Sequence, residues 1–246
     1  MQLRLNPRLD PADYAGTYRR EGVVQIEDFL PKEVAEHLHG VLTRRTQWRI
    51  VYSAGAEQPV VLTQGEYARM TPAERQALHA GINDRAKRSV GFAYNVWPMI
   101  TAYLEGWEPG HPLHRVTEFL QTDEVREFGR QVIGAERITK VDAQATLYAP
   151  GHFLTRHRDE GLKLERRCAY TLGFARDWQP DYGGLLAFLD DDNNVSKAFT
   201  PRFNVLTLFD GLRTHAVTSV SAFAPLGRYS ITGWFRDDPP AAAQAG

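Results

Sequence analysis

Two side chains able to bind a metal, His157 and Asp159, stand two residues apart in the run Thr155-Arg156-His157-Arg158-Asp159. Alternate residues of an extended chain share a face, so the imidazole and the carboxylate would point the same way. A His-x-Asp pair arises easily by chance in a chain with 8 histidines, and alone it reads as a surface strand with no ion. A third potential ligand, His215, opens a later strand-like run, and the pair itself follows an alternating segment that ends at Tyr148. The same region closes with Arg228-Tyr229-Ser230-Ile231-Thr232-Gly233-Trp234-Phe235. Its alternation places Tyr229, Ile231 and Phe235 on one face, suited to packing under helices, and Arg228, Ser230, Thr232 and Trp234 on the other. If that second face lines a barrel, an arginine is put inside, and a buried charge needs a partner. A guanidinium fork matches the carboxylate of a bound acid.

The elements that must position these residues change character along the chain. The first part reads as mainly helical. Pro31 stands at a helix start, with Val34, Leu38, Val41 and Leu42 at helical spacing over 31–45. Thr71-Pro72-Ala73-Glu74 has the form of a capping box. Val116, Phe119 and Leu120 mark a short helix, and Val125, Phe128 and Val132 mark another that Gly134 would end. Val23–Ile26 and parts of 50–63 and 89–97 read as accessory strands. From about residue 139 the period becomes that of strands. Val141, Ala143, Ala145 and Leu147 alternate with Asp142, Gln144, Thr146 and Tyr148. Further strands are expected at 168–175, 184–190, 195–200, 204–209, 215–220 and 228–236, with turns at Gly183-Gly184 and Asp190–Asn194. Short strands with no helix between them predict a jelly roll or barrel rather than βαβ units. The expected class is therefore α+β with a mainly β core and N-terminal helices packed on it.

Composition limits the function classes. The 246 residues are 43% hydrophobic and 24% charged with a net charge of -1, so neither nucleic acid nor an anionic membrane is expected as partner. The single cysteine, Cys168, sits in an apolar run and is read as a buried small hydrophobe. Met1–Pro7 lacks the apolar run of a signal peptide, and no window approaches a membrane span, so a cytoplasmic location is expected. HExxH, CxxC and GxGxxG patterns are missing, which removes zinc-protease, zinc-ribbon and dinucleotide readings. Asp190-x-Asp192-x-Asn194 opens like a calcium loop, but Val195 and Pro201 stand where that loop needs glycine and glutamate, so a hairpin turn is expected. His37, His39, His79, His111 and His114 are given no chemistry, the last two being placed in a loop, and His152 is left unplaced.

The residues His157-x-Asp159, the distal His215 and Arg228-x-Ser230 together resemble the Fe(II)/2-oxoglutarate oxygenase superfamily, and within it the prolyl-hydroxylase-like branch. The approach "YAPGHFLTRHRD" and the final "RYSITGWF" carry the likeness most closely, over roughly residues 139–236. The resemblance implies a double-stranded β-helix (jelly roll) in which His157, Asp159 and His215 ligate Fe(II). It also implies that 2-oxoglutarate and O2 are co-substrates, with Arg228 holding the far carboxylate and Tyr148 and Ser230 beside it. Residues 1–236 would form one oxygenase domain, with 1–138 as helices and accessory strands, 139–236 as the core, and 237–246 as a flexible tail. Trp234 stands where the superfamily's nucleobase demethylases carry a second arginine, and Asp159 is kept where its halogenases have a small residue. Hydroxylation of an aliphatic C–H is thus implied, foremost on a prolyl residue of a protein or peptide. The rival readings are a small-metabolite hydroxylase and a non-catalytic metal-binding or sensing module. Arg156, Arg158, Arg166 and Arg167 surround the candidate site and read either as attraction for an anionic substrate or as a solvated rim. The stretch Phe92–Trp97 reads either as core or as a cover over the barrel mouth.

Overall fold

The computed structural model describes residues 2–53, 59–159, 165–224 and 227–238. In the N-terminal half, α1 (Ala12–Glu21), β1 (Val23–Ile26) and α2 (Lys32–Arg44) are followed by β2 (Arg49–Tyr52), β3 (Val60–Thr63), α3 (Gln64–Arg69) and α4 (Pro72–Arg88). Next come β4 (Phe92–Trp97), α5 (Met99–Leu104), α6 (Pro112–Leu120) and α7 (Asp123–Ile133). The C-terminal half is β: β5 (Lys140–Val141), β6 (Gln144–Tyr148), β7 (Phe153–His157), β8 (Arg166–Phe174), β9 (Leu186–Leu189), β10 (Val195–Phe199), β11 (Phe203–Phe209), β12 (His215–Val217) and β13 (Arg228–Arg236).

Local chemistry accounts for several boundaries. Thr63 and Thr71 each cap a helix by accepting from the backbone N–H three residues on, and Glu66 and Glu74 return the bond. Gly22 and Gly134 end α1 and α7 in the left-handed region. His111 accepts the Leu113 N–H as N-cap of α6, with Pro112 at its first position. This places His114 in a helix, where the sequence reading had a loop. The strand Phe153–His157 and the helices α1, α3 and α5 were not anticipated. Asp190 accepts from the Asp192 and Asn194 N–H groups, forming the expected hairpin turn.

The strands form one curled antiparallel sheet in the order β1-β11-β8-β13-β6-β4-β7-β12-β9-β10, with β2 paired to β3 and β4 and β5 to β13. This is the jelly roll expected from the strand pattern, with helices packed on one side. Strand alternation decides what each face meets. Tyr170, Leu172 and Phe174 of β8, Leu206 and Leu208 of β11, and Ile231 and Phe235 of β13 pack in one cluster with Val34, Leu38, Val116, Phe119, Val125 and Phe128 from α2, α6 and α7. Ile231 and Phe235 are almost fully buried, and each such side chain contributes about 1.5–3 kcal/mol of burial. The opposite faces of these strands turn into the roll and carry the site.

Polar contacts fix the start of α2 and hold residues 237 and 238. Buried Asn204, at φ 57° beside a β-bulge, accepts the Leu30 N–H and donates to its carbonyl, so it fixes the entry to α2. Asp237 pairs with Arg167, and Asp238 with Lys140 and Arg236. These two tail residues are therefore held, whereas 239–246 lie outside the described residues.

On the buried face of α7, Gly129 leaves room for the Phe235 ring, which a Cβ would approach to 2.3 Å. Gly129→Ala should lower stability, because overpacking at about 1–3 kcal/mol outweighs about 1 kcal/mol of gained helix propensity. Urea denaturation checks this, and an equal or higher midpoint would contradict the packing account.

Candidate metal centre and cavity

Backbone pairing brings the distant histidine to the pair. In the β7–β12 ladder His157 and His215 are direct antiparallel partners, and their rings lie 4.2 Å apart. Asp159 follows the end of β7, and its N–H donates to the Gly211 carbonyl at 2.7 Å, which ties it to the loop before β12. The carboxylate oxygens lie 3.5 Å from His157 Nε2 and 3.6 Å from His215 Nε2. One ligand atom from each of the three residues falls within 4.8 Å of the others.

Both histidines are oriented from behind. His157 Nδ1 lies 3.0 Å from the Thr155 carbonyl and His215 Nδ1 2.8 Å from the Arg213 carbonyl. A carbonyl can only accept, so each Nδ1 carries a proton and each Nε2 is left to face the carboxylate and a metal position. Burial and the neighbouring His157 hold the His215 pKa below the ordinary value, against the pull of Asp159. Burial opposes charge on Asp159, but hydrogen bonding with His157 and the charges of both histidines outweigh it and hold its pKa below the usual value. The ionised carboxylate between two imidazole Nε2 atoms supplies negative charge for a divalent cation.

The triad opens on a cavity of about 500 Å³, within the roughly 300–1,000 Å³ of small-molecule sites. Arg228, Ser230, Thr232 and Trp234 of β13 all line it, as their alternation predicted. From β6, Gln144, Thr146 and Tyr148 line it in register with Thr232, Ser230 and Arg228. Arg228 is 6% exposed, its Nε has no hydrogen-bond partner, and no ion pair reaches it among the described residues. Its guanidinium carbon sits 5.0 Å from the Tyr148 ring centroid. Burial presses the Arg228 pKa down, with Tyr148 opposing, yet a guanidinium keeps its charge in proteins. Tyr148 stacks on Tyr94 at 5.0 Å, and burial pushes both phenols up, so both remain protonated donors. The Ser230 and Thr146 hydroxyls bond each other at 2.7 Å.

The other flagged residues separate by position. Arg158 and Arg166 line the cavity, whereas Arg167 turns away to Asp237 and Arg156 is exposed. Phe92 and Tyr94 face the cavity, while Val96 and Trp97 are buried. Cys168 is buried, with its thiol pushed up to about 12 by that burial. Sequence reasoning missed Thr146 as a lining residue, although the alternation of β6 carried the signal. It also missed Gly211, for which the sequence offers none.

The donor chemistry fits a divalent ion with open positions: two imidazoles and one carboxylate on one side, with a polar cavity on the other. Octahedral bonds near 2.1 Å put adjacent donors about 3 Å apart, close to the 3.5 and 3.6 Å between the carboxylate and the two imidazoles. The buried, unpaired guanidinium in the same cavity fits the far carboxylate of a dicarboxylic acid.

Residues 143–236 match the family model of the 2OG-Fe(II) oxygenase superfamily. The match covers β6 to β13, with the triad and Arg228, and the chain is similar to that superfamily over this span. Its fold is similar to that of a prolyl-4-hydroxylase from Pseudomonas putida, with TM-score 0.58 and 20% identity over 94% of this chain and 100% of that one. An oxidoreductase of the 2OG-Fe(II) oxygenase family from Burkholderia pseudomallei gives TM-score 0.59 and 15% identity over 97% and 95% of the two chains. A prolyl hydroxylase from Trichoplax adhaerens, in complex with a hypoxia inducible factor oxygen degradation domain peptide fragment, gives 0.58 and 17% over 92% and 89%. No curated protein matches the sequence. Among the described residues no helix is long and apolar enough to cross a membrane.

Gly211 packs against the triad, since a Cβ there would lie 2.8 Å from Asp159 Cβ and 3.3 Å from its Oδ2. Gly211→Ala should displace the carboxylate and weaken divalent-metal binding roughly 10–100-fold, as loss of a supporting contact does. Calorimetric titration with Co(II) checks this, and an unchanged affinity would show that the loop does not position Asp159.

Proposed function

We propose that this protein is an Fe(II)- and 2-oxoglutarate-dependent dioxygenase that hydroxylates an aliphatic C–H, with a prolyl residue of a protein or peptide as its substrate class. Residues 1–236 are read as a single oxygenase domain. The observation that carries the proposal is the sharing of one cavity by the His157–Asp159–His215 donor face and the unpaired guanidinium of Arg228. Prolyl hydroxylases among the proteins of similar fold support the substrate class.

When bound, Fe(II) with 2-oxoglutarate and O2 supplies the oxidant for the C–H bond, with release of succinate and carbon dioxide. The protein's part is to hold and to exclude. His157, Asp159 and His215 would occupy one side of the ion and leave the cavity side open. Arg228 would bind the far carboxylate of 2-oxoglutarate by charge-assisted hydrogen bonds. Tyr148, in register with Arg228, can donate its phenolic proton to the same group, and the Ser230–Thr146 pair offers a further hydroxyl. The stacked Tyr94 and Tyr148 rings form an apolar wall that keeps water off the co-substrate.

His157→Ala and Asp159→Ala should each abolish Fe(II)-dependent conversion of 2-oxoglutarate to succinate while the fold persists by circular dichroism. Undiminished succinate in either variant would remove the metal assignment. Arg228→Ala should raise the 2-oxoglutarate KM, since losing one partner of a buried charge pair costs about 2–5 kcal/mol. Unaltered co-substrate affinity would refute the anchor.

A further inference from the structure

The cavity holds more positive charge than iron and co-substrate use. Its charged and titratable lining groups include Arg158, Arg166 and Arg228 besides the triad, and Asp159 is the one carboxylate among the described lining residues. On the oxygenase reading, the charges of Fe(II), Arg228, Asp159 and a dianionic 2-oxoglutarate cancel. Arg158 and Arg166 are left without a carboxylate partner among the described residues.

Their surroundings distinguish them from neighbouring arginines. On the same strand, Arg167 is neutralised by Asp237, and the β13 arginine facing Arg166 in the ladder, Arg236, pairs with Asp142, Glu165 and Asp238. Arg166 has no such partner among the described residues. It stacks on the cavity wall, with its guanidinium carbon 3.9 Å from the Trp234 ring centroid, and its Nε is buried with no hydrogen bond. The indole N–H of Trp234 lies toward Asp159 but makes no hydrogen bond of acceptable geometry. Arg158 is anchored through Nε to the Leu212 carbonyl, and its remaining nitrogens have no partner among the described residues in an exposed side chain at the cavity. Buried donors are normally paired, and an unpaired one implies a missing acceptor. A planar fork beside an aromatic face is suited to a carboxylate.

We propose that the substrate carries a free carboxylate, which Arg166 binds against the Trp234 wall with Arg158 at the mouth. This inference rests on the oxygenase reading and narrows it. An internal peptide carbonyl would satisfy one donor and leave both charges unmatched. A free amino acid and the C-terminal residue of a peptide both present the required group.

The test is calorimetric titration of the protein held anaerobically with Fe(II) and 2-oxoglutarate. The probes are L-proline, L-leucine and the tripeptides Ala-Ala-Pro and Ala-Ala-Leu, each as free acid and as C-terminal amide. At least one acid should bind about tenfold or more tightly than its amide, the effect of a charge-assisted hydrogen bond. The preference should disappear in Arg166→Gln, shrink in the exposed Arg158→Gln and persist in Arg167→Gln, whose side chain serves Asp237. Preference for the amino acids or for the tripeptides tells which source of carboxylate the cavity accepts. Equal binding of acids and amides, binding of no acid, or an intact preference in both Arg166→Gln and Arg158→Gln would overturn the proposal. Binding of 2-oxoglutarate is measured first on the same sample. Its failure would count against the oxygenase reading itself, whereas normal co-substrate binding without acid preference counts against the carboxylate alone.

Discussion

The direct pairing of His157 with His215 across two antiparallel strands is the constraint on which the site depends. A register slip of one residue would turn one imidazole to the other face of the sheet and destroy the donor set. The ladder is short, since β12 spans three residues, and a bulge follows the histidine pair. Neighbouring contacts therefore hold the register. β12 also pairs with β9 on its other side, Asp159 is tied to Gly211, and the Arg213 and Thr155 carbonyls fix both rings. The geometry of three side chains is thus set mostly by backbone hydrogen bonds, which bend less than side-chain contacts do.

The second constraint is electrostatic. β13 is apolar on the face under the helices and polar on the face inside the roll, so it carries Arg228 into a buried position. Among the described residues no carboxylate meets it, although Arg236 eight residues further along the same strand has three. Leaving a charge buried without a partner is unfavourable in the ligand-free chain. That cost becomes a reward when a dianion enters, because the guanidinium is already desolvated and aimed. Arg166 repeats the logic at the cavity wall, stacked on an indole rather than enclosed by the roll.

Much of this was legible in the sequence because it depends on period. The alternation of Arg228–Phe235 separated core from cavity residues correctly, and helices with clear apolar spacing or capping boxes, α2, α4, α6 and α7, lie where expected. The strand Phe153–His157 was not legible, since four of its residues are half-buried and Arg156 is exposed, with no clean alternation. Helix α1 is largely exposed, with Tyr18 its one buried residue, so it carries no apolar stripe to read. The pairing partner of Asp159 was out of reach as well. Gly211 lies 52 residues away, and its role depends on a close approach that only the folded chain displays. The arginines near the site could be flagged but not sorted, because pairing with Asp237, Leu212 or an aromatic ring is a long-range property.

The central claim is that one cavity binds Fe(II) through the triad and 2-oxoglutarate through Arg228 at the same time. Anaerobic addition of both to the purified protein tests it most directly, by the weak visible charge-transfer band of an iron-chelated 2-oxo acid. The account predicts a band that requires both additions and is lost in His215→Ala. A folded protein that gives no band with both present, or one whose band survives without His215, would contradict it.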